Sequence, residues 1–319
     1  MTNTVTVVHV ISLSFFLGLV NAFDIPTRHS FVVEIVEDKA DLSNGIALNS
    51  SLFNAARLIG PALAGVLIAL FGEGVCFFLN ALSFVPITFV LVWLKISERE
   101  KQKTSLDIGR EFGEGLRYAF GFVPIRSILL LLSVVSLLGA AFQTLLPVFA
   151  REIFAGGPET LGLIVSLSGV GAFLGAVHLA ARKTIIGLGR MIGVSAAGFG
   201  AALMIFGVMT DIHFALAAAF LLGLTMILSF GASNMVLQTL VDDDKRGRVM
   251  SLYGMALIGM APIGSLLSGF LAGKIGPEGT FVWGGLGCII AAFVYWRDLP
   301  RFRKHVRPVY AQKGIFPEA

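Results

Sequence analysis

Nine times along this chain, twenty or so residues pass with few or no charged side chains. The runs cover roughly 8–34, 43–71, 74–94, 125–150, 160–181, 191–210, 213–239, 248–273 and 279–297. An α-helix needs about 20 apolar residues to cross a hydrocarbon core. A backbone in lipid must satisfy its own hydrogen bonds, which restricts spanning segments to helices and closed barrels. Composition agrees: 56% of the 319 residues are hydrophobic and 14% are charged. That charged share is about half that of a soluble domain. A chain so poor in polar groups cannot cover a globule facing water. The fold class is therefore all-α, a polytopic membrane protein of about nine transmembrane helices. Its 37 glycines suit helices that approach closely without side chains between them.

A pI near 9.2 raises the question of nucleic acid, and the placement of the charges answers it. Twenty-one of the 24 Lys and Arg residues fall on one side when alternate connections are counted. They are Arg28 and Lys39, the cluster from Lys95 to Arg126, Arg182, Lys183 and Arg190, Lys245, Arg246 and Arg248, and the tail from Arg297 to Lys313. Arg151 and Lys274 lie opposite, and Arg57 lies within a span. Basic loops stay in the cytoplasm, so the C-terminus is expected inside and the N-terminus outside. The basic charge is a topology signal, with no nucleic-acid partner implied.

Two segments repeat. Gly60, Leu63, Gly65, Leu67 and Gly72 match Gly264, Leu267, Gly269, Leu271 and Gly276 at a constant offset of 204 residues. A parallel duplication about an axis along the membrane normal is a known transporter plan. It divides the chain into 1–94, the last three helices of an N-terminal bundle; 95–124, a cytoplasmic linker with an amphipathic helix; 125–297, a complete six-helix C-terminal bundle; and 298–319, a cytoplasmic basic tail. Nine spans then read as a twelve-helix plan without its first three helices, with a separate N-terminal fragment as one expected partner.

Ionisable side chains within spans are costly and mark working sites. Asp24, Arg28 and Arg57 are of this kind, and Asp24 and Arg57 fall at similar depth on adjacent helices. Three readings stand: a buried pair fixing helix register, a proton-titrating Asp24 tuned by Arg57, or Arg57 as anchor for an anionic ligand. Asn54 extends the polar stripe of Arg57. Gln143, Ser229, Ser233, Asn234 and Gln238 are uncharged positions that either line a cavity or bridge helices. Cys76 and Cys288 sit in apolar runs and imply no disulfide framework or metal site. Neither a phosphate-binding glycine loop nor a nucleophile elbow is present, so no enzyme activity and no cofactor are indicated.

The stretches NAFDIPTRHSFVVEIV, LSNGIALNSSLFNAARLIGPALAG and FFLNALSF resemble the major facilitator superfamily. More narrowly they resemble its transmembrane secretion effector branch, to which enterobactin exporters belong. The resemblance implies an incomplete major facilitator fold entered at the fourth helix, and alternating access without ATP. Gly60, Pro61, Ala64 and Gly65 resemble the family's antiporter motif, read either as a hinge or as a packing kink. The implied activity is exporter-type secondary transport in the inner membrane of a bacterium, with an amphipathic small molecule (drug or siderophore class) exchanged for protons across the lipid bilayer. The alternative is a transport-inactive truncated protein, or one fragment of a split transporter.

Overall fold

The computed structural model describes Thr6, residues 8–9 and 12–20, Leu52, Phe71, and residues 73–93, 108–182 and 184–312. Residues 12–20 are helical. The helices that follow are α1 (Glu73–Trp93), α2 (Ile108–Gly121), α3 (Val123–Val148), α4 (Pro158–Ala180), α5 (Leu188–Val208), α6 (Ile212–Leu240), α7 (Asp243–Gly254) and α8 (Met260–Gln312). A π-helical turn, Phe149–Ile153, extends α3, and a second, Met255–Gly259, joins α7 to α8. Among the described residues six helical stretches are long and apolar enough to cross a membrane. One of these, Gly247–Ala311, is broken at Gly276. The boundaries of α1 and α3 to α6 fall within three residues of the apolar runs, because one requirement, bilayer thickness, sets both.

The chain marks its own helix ends. Proline occupies the first turn of α3 and of α4, where its missing N–H has no intrahelical partner to lose. The Asp211 carboxylate accepts a hydrogen bond from the His213 backbone N–H at 2.7 Å, capping α6. Gly276 adopts φ +79°, a conformation closed to most side chains, and Pro277 follows. The pair turns the direction of α8 between an arm 260–275 and an arm 277–312.

Packing runs in a row: α4 on α6, α6 on α5, α5 on α8, and α8 on α3. Small residues set the closeness. At the α4–α6 crossing a Cβ on Gly223 would stand 1.8 Å from the Ser168 carbonyl oxygen, and one on Gly171 would stand 2.0 Å from that of Phe220. These helices meet backbone to backbone, the arrangement that association in lipid rewards. Between α5 and α8, Gly200 and Gly285 face each other's carbonyls in the same way. Near the turn at Gly276, Phe142, Phe149, Phe206 and Phe281 form one aromatic knot. The Phe149 and Phe281 ring centroids are 4.5 Å apart, and Phe142 meets Phe206 edge-on at 5.5 Å.

At the opposite end the basic tail is more ordered than its charge suggests. The helix of α8 continues beyond the apolar run to Gln312, and Leu299, Phe302, Val306 and Tyr310 are all buried. Their spacing of three, then four, then four is that of one helical face. That face lies against the start of α5: the Tyr295 hydroxyl donates to the Gly189 carbonyl at 3.0 Å, and Phe302 packs where a Gly189 side chain would sit. His305 meets the Phe122 ring edge-on, at the joint between α2 and α3.

The amphipathic helix α2 is tied to the start of α7. Arg248 pairs with Glu114 at 3.2 Å, and the Lys245 ammonium stands 4.7 Å from the Tyr118 ring centroid. The acidic–basic sequence from Val241 to Met250 therefore joins two elements far apart in the chain.

Candidate functional site

The residues singled out by sequence divide into two groups. Asp24, Arg28, Asn54 and Arg57, and the motif residues Gly60, Pro61, Ala64 and Gly65, lie outside the described residues. So does the first copy of the glycine-rich repeat apart from Phe71. The uncharged positions of the second half are all described, and their surroundings differ.

On α6 the spacing of four residues per near-turn separates two faces. Ser229 and Ser233 lie on the buried face with no accessible surface, and the Ser233 hydroxyl donates to the Ser229 carbonyl of its own helix at 2.7 Å. In this conformation they offer nothing to a ligand. Asn234 and Gln238 lie on the other face, and the Gln238 amide donates to the Asn234 side-chain oxygen. Tyr253, from α7, joins them: Asn234 hydrogen-bonds its hydroxyl, which donates to the Phe230 carbonyl at 3.1 Å. Gln143 is exposed on α3. Its neighbour Thr144 bridges helices, at 2.9 Å from the Ser265 hydroxyl on α8.

Sequence reasoning passed over Tyr253, Ser136 and Ser265. The π-helical turn after Tyr253 shifts the hydrogen-bonding register and frees carbonyls. Ser136 on α3 takes up one of them, donating to the Leu257 carbonyl. A signal was there to read: Ser136 and Ser265 are hydroxyls in otherwise apolar runs, with Gly139 and Ala140 one turn from the first and Gly264 next to the second.

The result is an uncharged polar lane, Asn234, Gln238 and Tyr253, beside a π-turn and a helix crossing held by hydroxyls. Amides and hydroxyls can donate and accept hydrogen bonds to a polar ligand group. None of the three changes charge near neutral pH. A proton-coupling step needs a titratable group from another element. α6 and the α7–α8 span supply alternative hydrogen-bond partners, and a π-bulge in the second gives it a place to bend.

Residues 1–310 match the protein family described as transmembrane secretion effector. The chain is 28% identical over 291 residues to the staphyloferrin A transporter of Staphylococcus aureus, spanning 88% of this chain and 69% of that one. It is 22% identical to macrolide efflux protein A of Streptococcus pyogenes, spanning 88% of this chain and 70% of that one. In three dimensions it resembles a bacterial homologue of the human lysosomal transporter Spinster. The TM-score is 0.57 at 16% identity, covering 85% of this chain and 74% of that one. A similar likeness, TM-score 0.56 at 11% identity over 86% and 72%, is to a POT family transporter solved with 5-aminolevulinic acid.

Proposed function

We infer, because the chain belongs to the transmembrane secretion effector family, that it is an exporter moving an amphipathic small molecule out through a bacterial inner membrane. The observation that carries this reading is the family match across residues 1–310, together with relatives named as a staphyloferrin A transporter and a macrolide efflux protein. The drug or siderophore class is the substrate range those relatives suggest.

Coupling to protons is assigned to Asp24, with Arg57 or Arg28 as the opposite charge that keeps it ionised until substrate displaces the pair. Gly60, Pro61, Ala64 and Gly65 form the hinge, where a small-residue surface and a missing backbone N–H let the helix bend against its neighbour. In the second half the lane of Asn234, Gln238 and Tyr253 supplies hydrogen bonds to the polar part of the molecule. The basic connections and the C-terminus face the cytoplasm in this arrangement.

The test is transport. Expressed in an efflux-deficient bacterium loaded with ethidium, the chain is expected to speed dye loss, and collapse of the proton gradient is expected to abolish the gain. Asp24→Asn is expected to keep the protein in the membrane while losing the pH dependence of efflux. Efflux by Asp24→Asn with an unaltered pH profile removes proton coupling from that residue. Absence of gradient-dependent loss of any panel dye or siderophore removes the exporter reading.

A further inference from the structure

Where α8 leaves its apolar run it borders two adjoining cavities against the start of α5. The larger, of about 380 Å³, is lined by Arg190 of α5 and by Arg303 and Arg307 of α8, over a floor that includes Phe302 and Val306. The smaller, of about 270 Å³, shares Arg190, Leu299 and Arg303 and adds Trp296 and Pro300. Among the described residues no carboxylate lines either cavity. None of the three arginines makes an ion pair among the described residues, although Arg301, two residues before Arg303, does. Three guanidinium groups thus face one hollow with no counter-charge among the described residues.

The lining has a direction. Trp296, Pro300, Arg303 and Arg307 recur at four, three and four residues, which places them along one face of the helix. From Trp296 to Arg307 is a rise of about 16 Å. Its lower end is an exposed tryptophan where the apolar run stops, the position interfacial aromatics occupy at the headgroup level. One turn further into the run Phe293 is 62% exposed, as expected of a surface that meets acyl chains. The upper end is the arginine-lined hollow, whose planar forks match the oxygens of a phosphate in pairs.

We propose that these two cavities form a binding site for the phosphodiester headgroup of an anionic phospholipid. The phosphate sits among Arg190, Arg303 and Arg307, and the acyl chains run along Trp296 and Phe293. The lipid ties the α8 extension to the start of α5, two elements already joined by the Tyr295–Gly189 hydrogen bond. A soluble phosphate shares the headgroup chemistry but has no use for the aromatic, lipid-facing end of the groove.

The full chain is purified and placed in nanodiscs of phosphatidylcholine with or without one-fifth phosphatidylglycerol, and lipids retained on release are counted by native mass spectrometry. Each arginine in contact with the bound headgroup contributes on the order of a fivefold change in retention. Retention of phosphatidylglycerol is therefore expected to fall on the order of a hundredfold in the Arg190→Gln/Arg303→Gln/Arg307→Gln variant. It is expected to stay near the parent level in Arg297→Gln/Arg301→Gln, which carries nearly the same loss of charge outside the cavities. Should the triple variant fail to fold, Arg303→Gln against Arg303→Lys replaces it, with about a fivefold loss expected for the first and less for the second. Equal retention of phosphatidylcholine, equal loss in the control variant, or displacement of the lipid by millimolar inorganic phosphate would each overturn the proposal.

Discussion

Replacing Gly223 by alanine tests the backbone-to-backbone crossing of α4 and α6. The new Cβ would lie 1.8 Å from the Ser168 carbonyl oxygen, 2.6 Å from its carbon and 3.0 Å from its Cα. All three are backbone atoms, so no side-chain rotation relieves the clash. A carbon and a carbonyl oxygen rest at about 3.3 Å or more, so the helices must part by over an ångström. Overpacking of this kind costs about 1–3 kcal/mol. The alanine recovers about 0.5–1 kcal/mol by restricting the unfolded backbone. The net loss of about 1–2 kcal/mol lowers an apparent melting midpoint by roughly 5 °C in a bundle of this size. Cys288 is fully buried and serves as the reporter, its labelling by a fluorogenic maleimide followed with temperature in detergent after Cys76→Ser. Gly269→Ala is the control, since nothing lies within 4 Å of the added carbon; its midpoint is expected to hold or rise slightly. Gly171→Ala alone should resemble Gly223→Ala, and the double variant should lose less than the sum, because helices already parted need not part again. A Gly223→Ala protein that melts with the parent, beside a Gly269→Ala protein that melts below it, would refute the described crossing.

Truncating the aromatic knot should be more damaging. Phe281→Ala removes a fully buried ring in contact with Phe149 and Phe206 and is expected to cost about 3–5 kcal/mol in the same melt, while Phe281→Leu costs much less. Arg248→Gln breaks the tie to Glu114, but both side chains are more than a third exposed, so the melting midpoint should move little. The readout there is local: hydrogen exchange of residues 108–121 is expected to quicken, and unchanged protection would mean that the ion pair does not hold the linker helix.

Several features were legible without coordinates for reasons of elementary physics. A span in lipid must be long, apolar and helical whatever surrounds it, so α3 to α6 announce themselves within three residues of their ends. The linker helix was readable for a similar reason, since its charged and apolar positions alternate at helical spacing. The extension of α8 was not read, because a run of arginines and lysines hides a buried stripe of one residue in three or four. Only the neighbouring start of α5 shows that Leu299, Phe302 and Val306 have something to cover.

The polar residues of α6 make the same point more sharply. Ser229, Ser233, Asn234 and Gln238 look alike along the sequence, as uncharged polar groups in an apolar helix. A rotation of 100° per residue separates them, and only the placement of the neighbouring helices decides that the serines are sealed and that Asn234 meets Tyr253. The sequence by itself determined that this chain lives in a bilayer, because hydrophobic length is a property of each segment alone. Which side chains face one another, and which arginines gather round one hollow, was left to the tertiary structure, because contact is a relation between segments that no single one encodes.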